Sequence, residues 1–215
     1  PGGRGGMSAG SASERRRHPG LNLHEPDAHP SDGEVVFGFW VFMMSDAVLF
    51  ALLFAVYASL GANTAGGPGP HEVFELRPAA METLLLLLSS FTFGIASLAM
   101  KYRRGMALLQ GMLALTLLLG LGFLGLEVHD FVGMADKGAL PQVSAFLSAF
   151  YALVPTHFLH VSLGCVWIVV MMVQLRMSGL DRITRTRLLR LGLFWHFLDI
   201  VWVMIFSFVF LRGLL

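Results

Sequence analysis

Eight ionisable side chains lie inside apolar stretches of the sequence, and these are the residues that could do chemistry. Each charged group is costly in hydrocarbon, about 2.5–3.5 kcal/mol at mid-bilayer, so each needs a partner or a function. The chemistry open to them is hydrogen bonding between helices, proton transfer, or ligation of a metal or haem. The eight residues are Asp46, Glu82, Glu127, His129, His157, His160, His196 and Asp199.

The spacing of these residues gives little support to a metal site. His157 and His160 are three residues apart and share one helical face, with Glu127 and His129 as further donors. A di-iron bundle site requires a Glu-x-x-His pair on each of two helices, and the sequence contains none. Bis-histidine haem ligation stays open on the residues alone. We predict no metal site, and the absence of a phosphate loop or nucleophile elbow predicts no catalytic residue.

The depth of each residue along its apolar stretch predicts which of them meet. Counting the helical rise gives an inner tier and an outer tier, with His160 one turn deeper than the rest of the outer tier. We expect a network, for packing or for proton transfer, of Asp46, His196, Asp199, Glu127, His157 and His160. Within it we predict a bond, direct or through one water, between Asp46 and His196, because their depths differ by about one helical turn.

The elements that position these residues are five apolar stretches. The chain has 215 residues, of which 55% are hydrophobic and 13% charged, with a mean hydropathy of +0.69. This is about half the charge of a soluble domain. The predicted spans are Val35–Leu60, Pro78–Met100, Met106–Phe131, Ser144–Leu175 and Leu188–Leu211. Their helical length predicts an all-α, polytopic bundle of five transmembrane helices.

Lysine and arginine predict the orientation of this bundle. Twelve of the fifteen fall in the N-terminal tail and in the second and fourth connections, which predicts a cytoplasmic N-terminus and an outer C-terminus. We divide the chain into a disordered polar tail, residues 1–33, and a membrane domain, residues 34–215. The absence of a dense basic patch argues against a nucleic-acid partner.

Two further groups of residues are assigned by their position near the membrane surface. An arginine cluster precedes the fifth span and could hold anionic lipid headgroups; it consists of Arg182, Arg185, Arg187 and Arg190. Trp195 fits an interfacial anchor, whereas Trp202 fits a packing residue against a neighbouring helix.

Three segments resemble a known family. They are Phe37-Gly-Phe-Trp-Val-Phe-Met-Met-Ser-Asp-Ala-Val-Leu-Phe50, Thr156-His-Phe-Leu-His-Val161 and Trp195-His-Phe-Leu-Asp-Ile-Val-Trp202. They resemble subunit III of the haem–copper oxidases, and the resemblance covers roughly residues 35–213. Two shorter segments, Thr64–Pro68 and Phe146–Phe150, and the count of five spans are similar to its ubiquinol-oxidase branch, typified by cytochrome o.

The resemblance implies an accessory subunit without redox cofactors in a proton-pumping ubiquinol oxidase of the bacterial inner membrane. Haems and copper are then expected on subunit I, with subunits I, II and IV and membrane phospholipid as partners. Asp46 stands at the family's buried acidic position, and Pro155 and Phe158 replace glycines that are common there. The corresponding subunit of a cytochrome c oxidase is the alternative. The alternative from another functional class is an independent small transporter or a haem-bearing cytochrome.

Overall fold

The structure, a computed structural model, describes residues 30–61, 76–102 and 105–211, with the side chains of residues 37–61, 76–102 and 105–211. All regular structure in these ranges is helical, and five helices are long and apolar enough to span a membrane. The predicted all-α class and the five spans are therefore confirmed. The helices are α1 Pro30–Leu60, α2 Leu76–Lys101, α3 Met106–Asp136, α4 Ala145–Ser178 and α5 Arg182–Ile205, which continues as a π-helix over Phe206–Leu211.

The helices extend beyond the predicted spans, because apolarity marks the hydrocarbon and not the end of the helical hydrogen-bond ladder. α3 continues five residues past Phe131, and α5 begins six residues before Leu188. Residues 1–29 of the predicted tail, the loop residues 62–75, and Arg103, Arg104 and Arg212 lie outside the described residues.

Contacts divide the chain after Gly38. Of the first unit, Pro1–Gly38, the structure describes only the opening of α1 from Pro30. Proline is well suited to a first helical turn, where its missing N–H would have no partner in any case. The second unit, Phe39–Leu215, contains the helical bundle described below.

Local signals set the ends of α4. Ser144 caps its start, where the hydroxyl accepts a 3.2 Å hydrogen bond from the Leu147 N–H. Gly179 follows its end with φ 69°, a conformation that favours glycine, and the chain turns there into α5. The short turn makes α4 and α5 antiparallel neighbours in the bundle.

Trp195 lies at the centre of the packing between α2, α3, α4 and α5, and is only 1% exposed. Its ring lies against two glycines: a Cβ at Gly164 would be 2.9 Å from its Cζ3, and one at Gly120 would be 3.0 Å from its Cη2. Its indole N–H donates to the Ser89 hydroxyl at 3.0 Å. The prediction of an interfacial anchor was wrong, because glycines on the facing helices make room for an indole inside the bundle.

Trp202 confirms the packing role predicted for it. It is 1% exposed, meets Phe123 edge-on at 4.7 Å between ring centroids, and donates its indole N–H to the Thr83 hydroxyl at 3.1 Å. Both tryptophans of α5 thus hydrogen-bond to α2. These two bonds hold α5 against α2.

The orientation of the bundle is testable by reporter fusion. Because the basic residues alternate across five spans, we expect fusions at Gly66 and Gly138 to report the outer side and fusions at Gly105 and Gly179 the cytoplasm. Alkaline phosphatase and green fluorescent protein activities in paired fusions measure this. A reversed assignment at any two of the four sites would contradict the predicted topology.

Candidate functional site

Asp46 on α1 pairs with His160 on α4. The Asp46 Oδ1 lies 3.7 Å from the His160 Nε2, and both side chains are largely buried. The His160 Nδ1–H donates to the Thr156 carbonyl at 2.7 Å, so the Nε2 atom is held toward the carboxyl group. The second carboxyl oxygen, Oδ2, is buried with no hydrogen-bond partner. The two predicted tiers therefore meet at this pair, and α1 is connected to α4 by a polar contact.

Asp46 and His196 do not form the direct hydrogen bond that was one of the two predicted forms of this contact, and the form through one water stays a prediction. His196 turns toward α2, where its Nδ1 lies 2.7 Å from the Ser90 hydroxyl. α1 and α5 do meet, through the aromatic pairs Phe42–Phe194 and Phe50–Phe197 with centroids 6.1 and 6.3 Å apart. Counting residues gave similar depths for Asp46 and His196, and their helices do meet. Counting does not give the direction in which each side chain leaves its helix.

His157 sits in an aromatic box and is fully buried. The walls are Phe50, Phe123 and Trp202, with ring centroids 5.2–6.3 Å from the imidazole. The His157 Nε2–H donates to the Leu198 carbonyl on α5 at 3.2 Å, and its Nδ1 has no hydrogen-bond partner. His157 therefore joins α4 to α5.

Ser90, His196 and Asp199 are close together but are not arranged as a nucleophilic triad. The His196 Nδ1 is 2.7 Å from the Ser90 Oγ and 3.9 Å from the Asp199 Oδ2. A triad needs opposite ring nitrogens for the serine and the acid, so that one side accepts a proton while the other is oriented. Here one nitrogen faces both groups. The cluster holds α2 against α5, and both Asp199 oxygens are buried without a hydrogen-bond partner.

A second group of carboxyls lies toward the start of α2 and the end of α3. Glu82 and Glu127 are 1% and 4% exposed, and each has one oxygen without a hydrogen-bond partner. Asp130 is half-buried and lies within electrostatic range of both. Glu127, predicted to belong to one network with Asp46 and His157, thus lies with other acids. His129, on the same helix, is exposed.

The predicted lipid-binding arginines lie on the first turns of α5. Arg182, Arg185 and Arg187 are exposed, and Arg190 is half-buried with a buried Nε that has no hydrogen-bond partner. Three guanidinium groups on the exposed part of one helix can face anionic headgroups.

Sequence reasoning missed the hydroxyl residues of α2. Ser89 and Thr83 accept the two indole N–H groups, Ser90 holds His196, and Thr92 contacts Thr116 on α3 at 2.8 Å between the hydroxyls. Small polar residues inside an apolar helix are a signal of helix contact, and four of them lie between positions 83 and 92 of the sequence.

The part of the chain that the structure describes contains no arrangement of side chains suited to a metal ion. No three histidine, cysteine or carboxylate side chains there lie together in a way that could hold a metal ion. His157 and His160, the two histidines considered as haem ligands, instead bond to backbone carbonyls. The described contacts of these two histidines join helices or turns of the bundle.

Comparisons with known proteins match almost the whole chain. The profile of the family described as cytochrome c oxidase subunit III matches residues 27–214. Cytochrome bo(3) ubiquinol oxidase subunit 3 of Pseudomonas putida is 48% identical over 187 residues, 87% of this chain and 90% of the relative. The protein of the same description in Pseudomonas aeruginosa is 48% identical over 194 residues, 89% and 92% of the two chains. Quinol oxidase subunit 3 of Bacillus subtilis is 44% identical over 182 residues, 83% and 87%.

Proposed function

Because the chain belongs to the cytochrome c oxidase subunit III family, we propose that it is the accessory subunit III of a proton-pumping ubiquinol oxidase. Such a complex couples ubiquinol oxidation to the reduction of oxygen to water, with haems and copper on subunit I. This chain carries no catalytic centre and no redox cofactor. It lies in the inner membrane of a bacterium with subunits I, II and IV.

The observation that carries the proposal is the extent of the match to quinol-oxidase relatives. Both Pseudomonas proteins are described as ubiquinol oxidase subunits, and each alignment covers nine-tenths or more of the relative. The alternative, subunit III of a cytochrome c oxidase, draws on the description of the family as a whole. The electron donor of the complex, ubiquinol or reduced cytochrome c, distinguishes these two alternatives.

The role we propose for the chain is to support assembly and sustained turnover of subunit I. The polar contacts suit this role, because Asp46–His160, His157–Leu198 and Ser90–His196 each join two different helices. Bonds of this kind contribute about 0.6 kcal/mol each on average, and their main effect is to fix which faces meet. A proton role for Asp46 and His160 is the second possibility, since an acid and an imidazole can exchange a proton.

Phospholipid binding is the remaining part of the proposal. The exposed arginines of α5, Arg182, Arg185 and Arg187, with half-buried Arg190, would hold anionic headgroups at the membrane surface. Each basic residue near such a surface contributes about 1 kcal/mol, so the cluster would retain anionic lipid.

The experiment that tests the proposal is native purification of the full chain from its membrane, followed by identification of the co-purifying chains. We expect subunits of one oxidase, and oxidation of ubiquinol but not of reduced cytochrome c by the purified complex. Cytochrome c oxidation instead would support the alternative. Purification of the chain with no oxidase subunit would contradict the proposal.

The absence of a redox cofactor is tested on the isolated subunit. We expect no stoichiometric iron or copper by elemental measurement and no Soret band in the visible spectrum, because no three ligating side chains lie together among the described residues. The intact complex, measured in the same way, is the positive control. One haem per chain in the isolated subunit would refute the accessory role.

A further inference from the structure

His196 is an ionisable residue on the outside of the bundle, at a depth where lipid offers no hydrogen bond. Its side chain is 46% exposed. It lies six residues beyond Arg190, which places it about 9 Å deeper along α5 than the last arginine of the cluster. A polar side chain facing hydrocarbon is unfavourable, and such residues characteristically face another helix or a cavity.

The orientation of the His196 ring is fixed by its own bundle. Nδ1 contacts the Ser90 hydroxyl at 2.7 Å, Asp199 lies on the same side at 3.9 Å, and the ring stands edge-on to Phe93. This leaves Nε2 as the ring nitrogen without a hydrogen bond to any residue that the structure describes. Ser90 and Asp199 are the polar groups that face the ring from α2 and α5.

The residues around His196 form a continuous apolar stripe on α5. This stripe, which we call the His196 face, consists of Leu189, Leu193, His196, Ile200 and Val203. The four apolar members are 41–61% exposed. Their spacing of four, three, four and three residues is that of the a and d positions at which two helices pack with a left-handed crossing. One polar residue within such a seam specifies the register and the partner.

We propose that the His196 face packs against one transmembrane helix of a partner oxidase subunit, which hydrogen-bonds to the His196 Nε2 through a polar side chain. The proposal rests on the proposed function for the identity of the complex. The occupant is a helix and not lipid, because an acyl chain has no group that can bond to Nε2 at this depth.

A second copy of this chain fits the face poorly. In a parallel two-fold pair His196 would meet the His196 of the other copy. The two Nε2 atoms of such a pair bond only when the rings hold opposite tautomers, because two N–H groups or two bare nitrogens cannot bond to each other. A helix of different sequence can provide the complementary group.

Site-specific photo-crosslinking in the intact complex tests the proposal. A benzoylphenylalanine placed at Leu193 or Ile200, in native membranes, should form an adduct with one oxidase subunit, located by mass spectrometry to a single transmembrane helix. Leu163 on α4, which is 64% exposed, is the matched site on another helix and should not label that partner helix. Adducts at Leu193 and Ile200 with lipid only, or with a second copy of this chain, would overturn the inference.

The hydrogen bond is tested by variants of His196 itself. His196→Leu should lower retention of this subunit on the purified complex about threefold to tenfold, the range expected for one bond between helices. His196→Gln, which keeps a donor and an acceptor, should recover most of the loss. Unchanged retention in His196→Leu would overturn the polar part of the proposal.

Failure of this inference is distinguishable from failure of the proposed function. Co-purification is read before irradiation, and the absence of oxidase subunits at that stage refutes the proposed function alone. Co-purification with oxidase subunits, together with lipid-only adducts, refutes the His196 face and leaves the proposed function standing. The crosslinks use the wild-type histidine, so they report even where a His196 variant does not fold.

Discussion

Trp195→Ala is expected to destabilise the bundle by about 3–5 kcal/mol, the range for truncating a fully buried aromatic side chain. The indole fills the space between Gly120 and Gly164, so its removal leaves a cavity between α3 and α4. The change also leaves the Ser89 hydroxyl without the indole donor. The measurement is equilibrium unfolding of the full chain in mixed micelles, followed by loss of helical circular dichroism.

The control for this variant is Leu163→Ala, which removes an apolar side chain that is 64% exposed on α4. It should change the unfolding free energy by no more than about 0.5 kcal/mol. Gly164→Ala tests the same contact from the glycine side, since the new Cβ would be 2.9 Å from the Trp195 ring. It should destabilise by about 1–3 kcal/mol through overpacking. Equal changes in unfolding free energy for Trp195→Ala and Leu163→Ala would contradict the packing role of Trp195.

His160→Leu is the second variant with a large expected effect, because it leaves Asp46 buried without its imidazole partner. The two side chains are 3.7 Å apart and largely buried, so removal of one member is expected to lower the free energy of unfolding by up to about 3 kcal/mol. Loss of the subunit from the complex on detergent washing, together with unfolding of the isolated chain, measures the effect. Replacement of an exposed residue on the same helix, Leu159→Ala, is the control.

A double-mutant cycle separates the pair from its surroundings. Asp46→Asn should be milder than His160→Leu, because an amide is neutral and has no charge to desolvate. The double variant should be more stable than the sum of the single losses predicts, by about 0.5–3 kcal/mol of coupling. Additive losses would show that the 3.7 Å approach contributes nothing.

The same cycle distinguishes packing from a proton role. If the pair serves packing, Asp46→Asn complexes that retain the subunit should show normal and sustained ubiquinol oxidation. If the pair supplies protons, complexes with full subunit retention should lose turnover early during sustained oxidation. The measurement is oxygen uptake over many turnovers, with subunit content quantified in the same sample.

The sequence by itself determined the class of the fold and the residues that matter. Five apolar stretches of helical length leave a single solution in lipid, because every backbone polar group must be satisfied within its own segment. The high cost of ionisable groups in hydrocarbon also identified Asp46, His157 and His160 before any contact was known. The segments around these residues carried the resemblance to subunit III of the haem–copper oxidases.

Only the tertiary structure decided which of these residues meet. Depth follows from counting residues at a fixed rise, but the direction of a side chain depends on the rotation of each helix about its axis. That rotation is set by packing. The aromatic contacts of Phe50 place α1 so that Asp46 faces His160, and Ser90 draws His196 toward α2. Trp195 was misplaced for the same reason: an indole can anchor at an interface or fill a cavity, and the glycines that form the cavity lie on other helices.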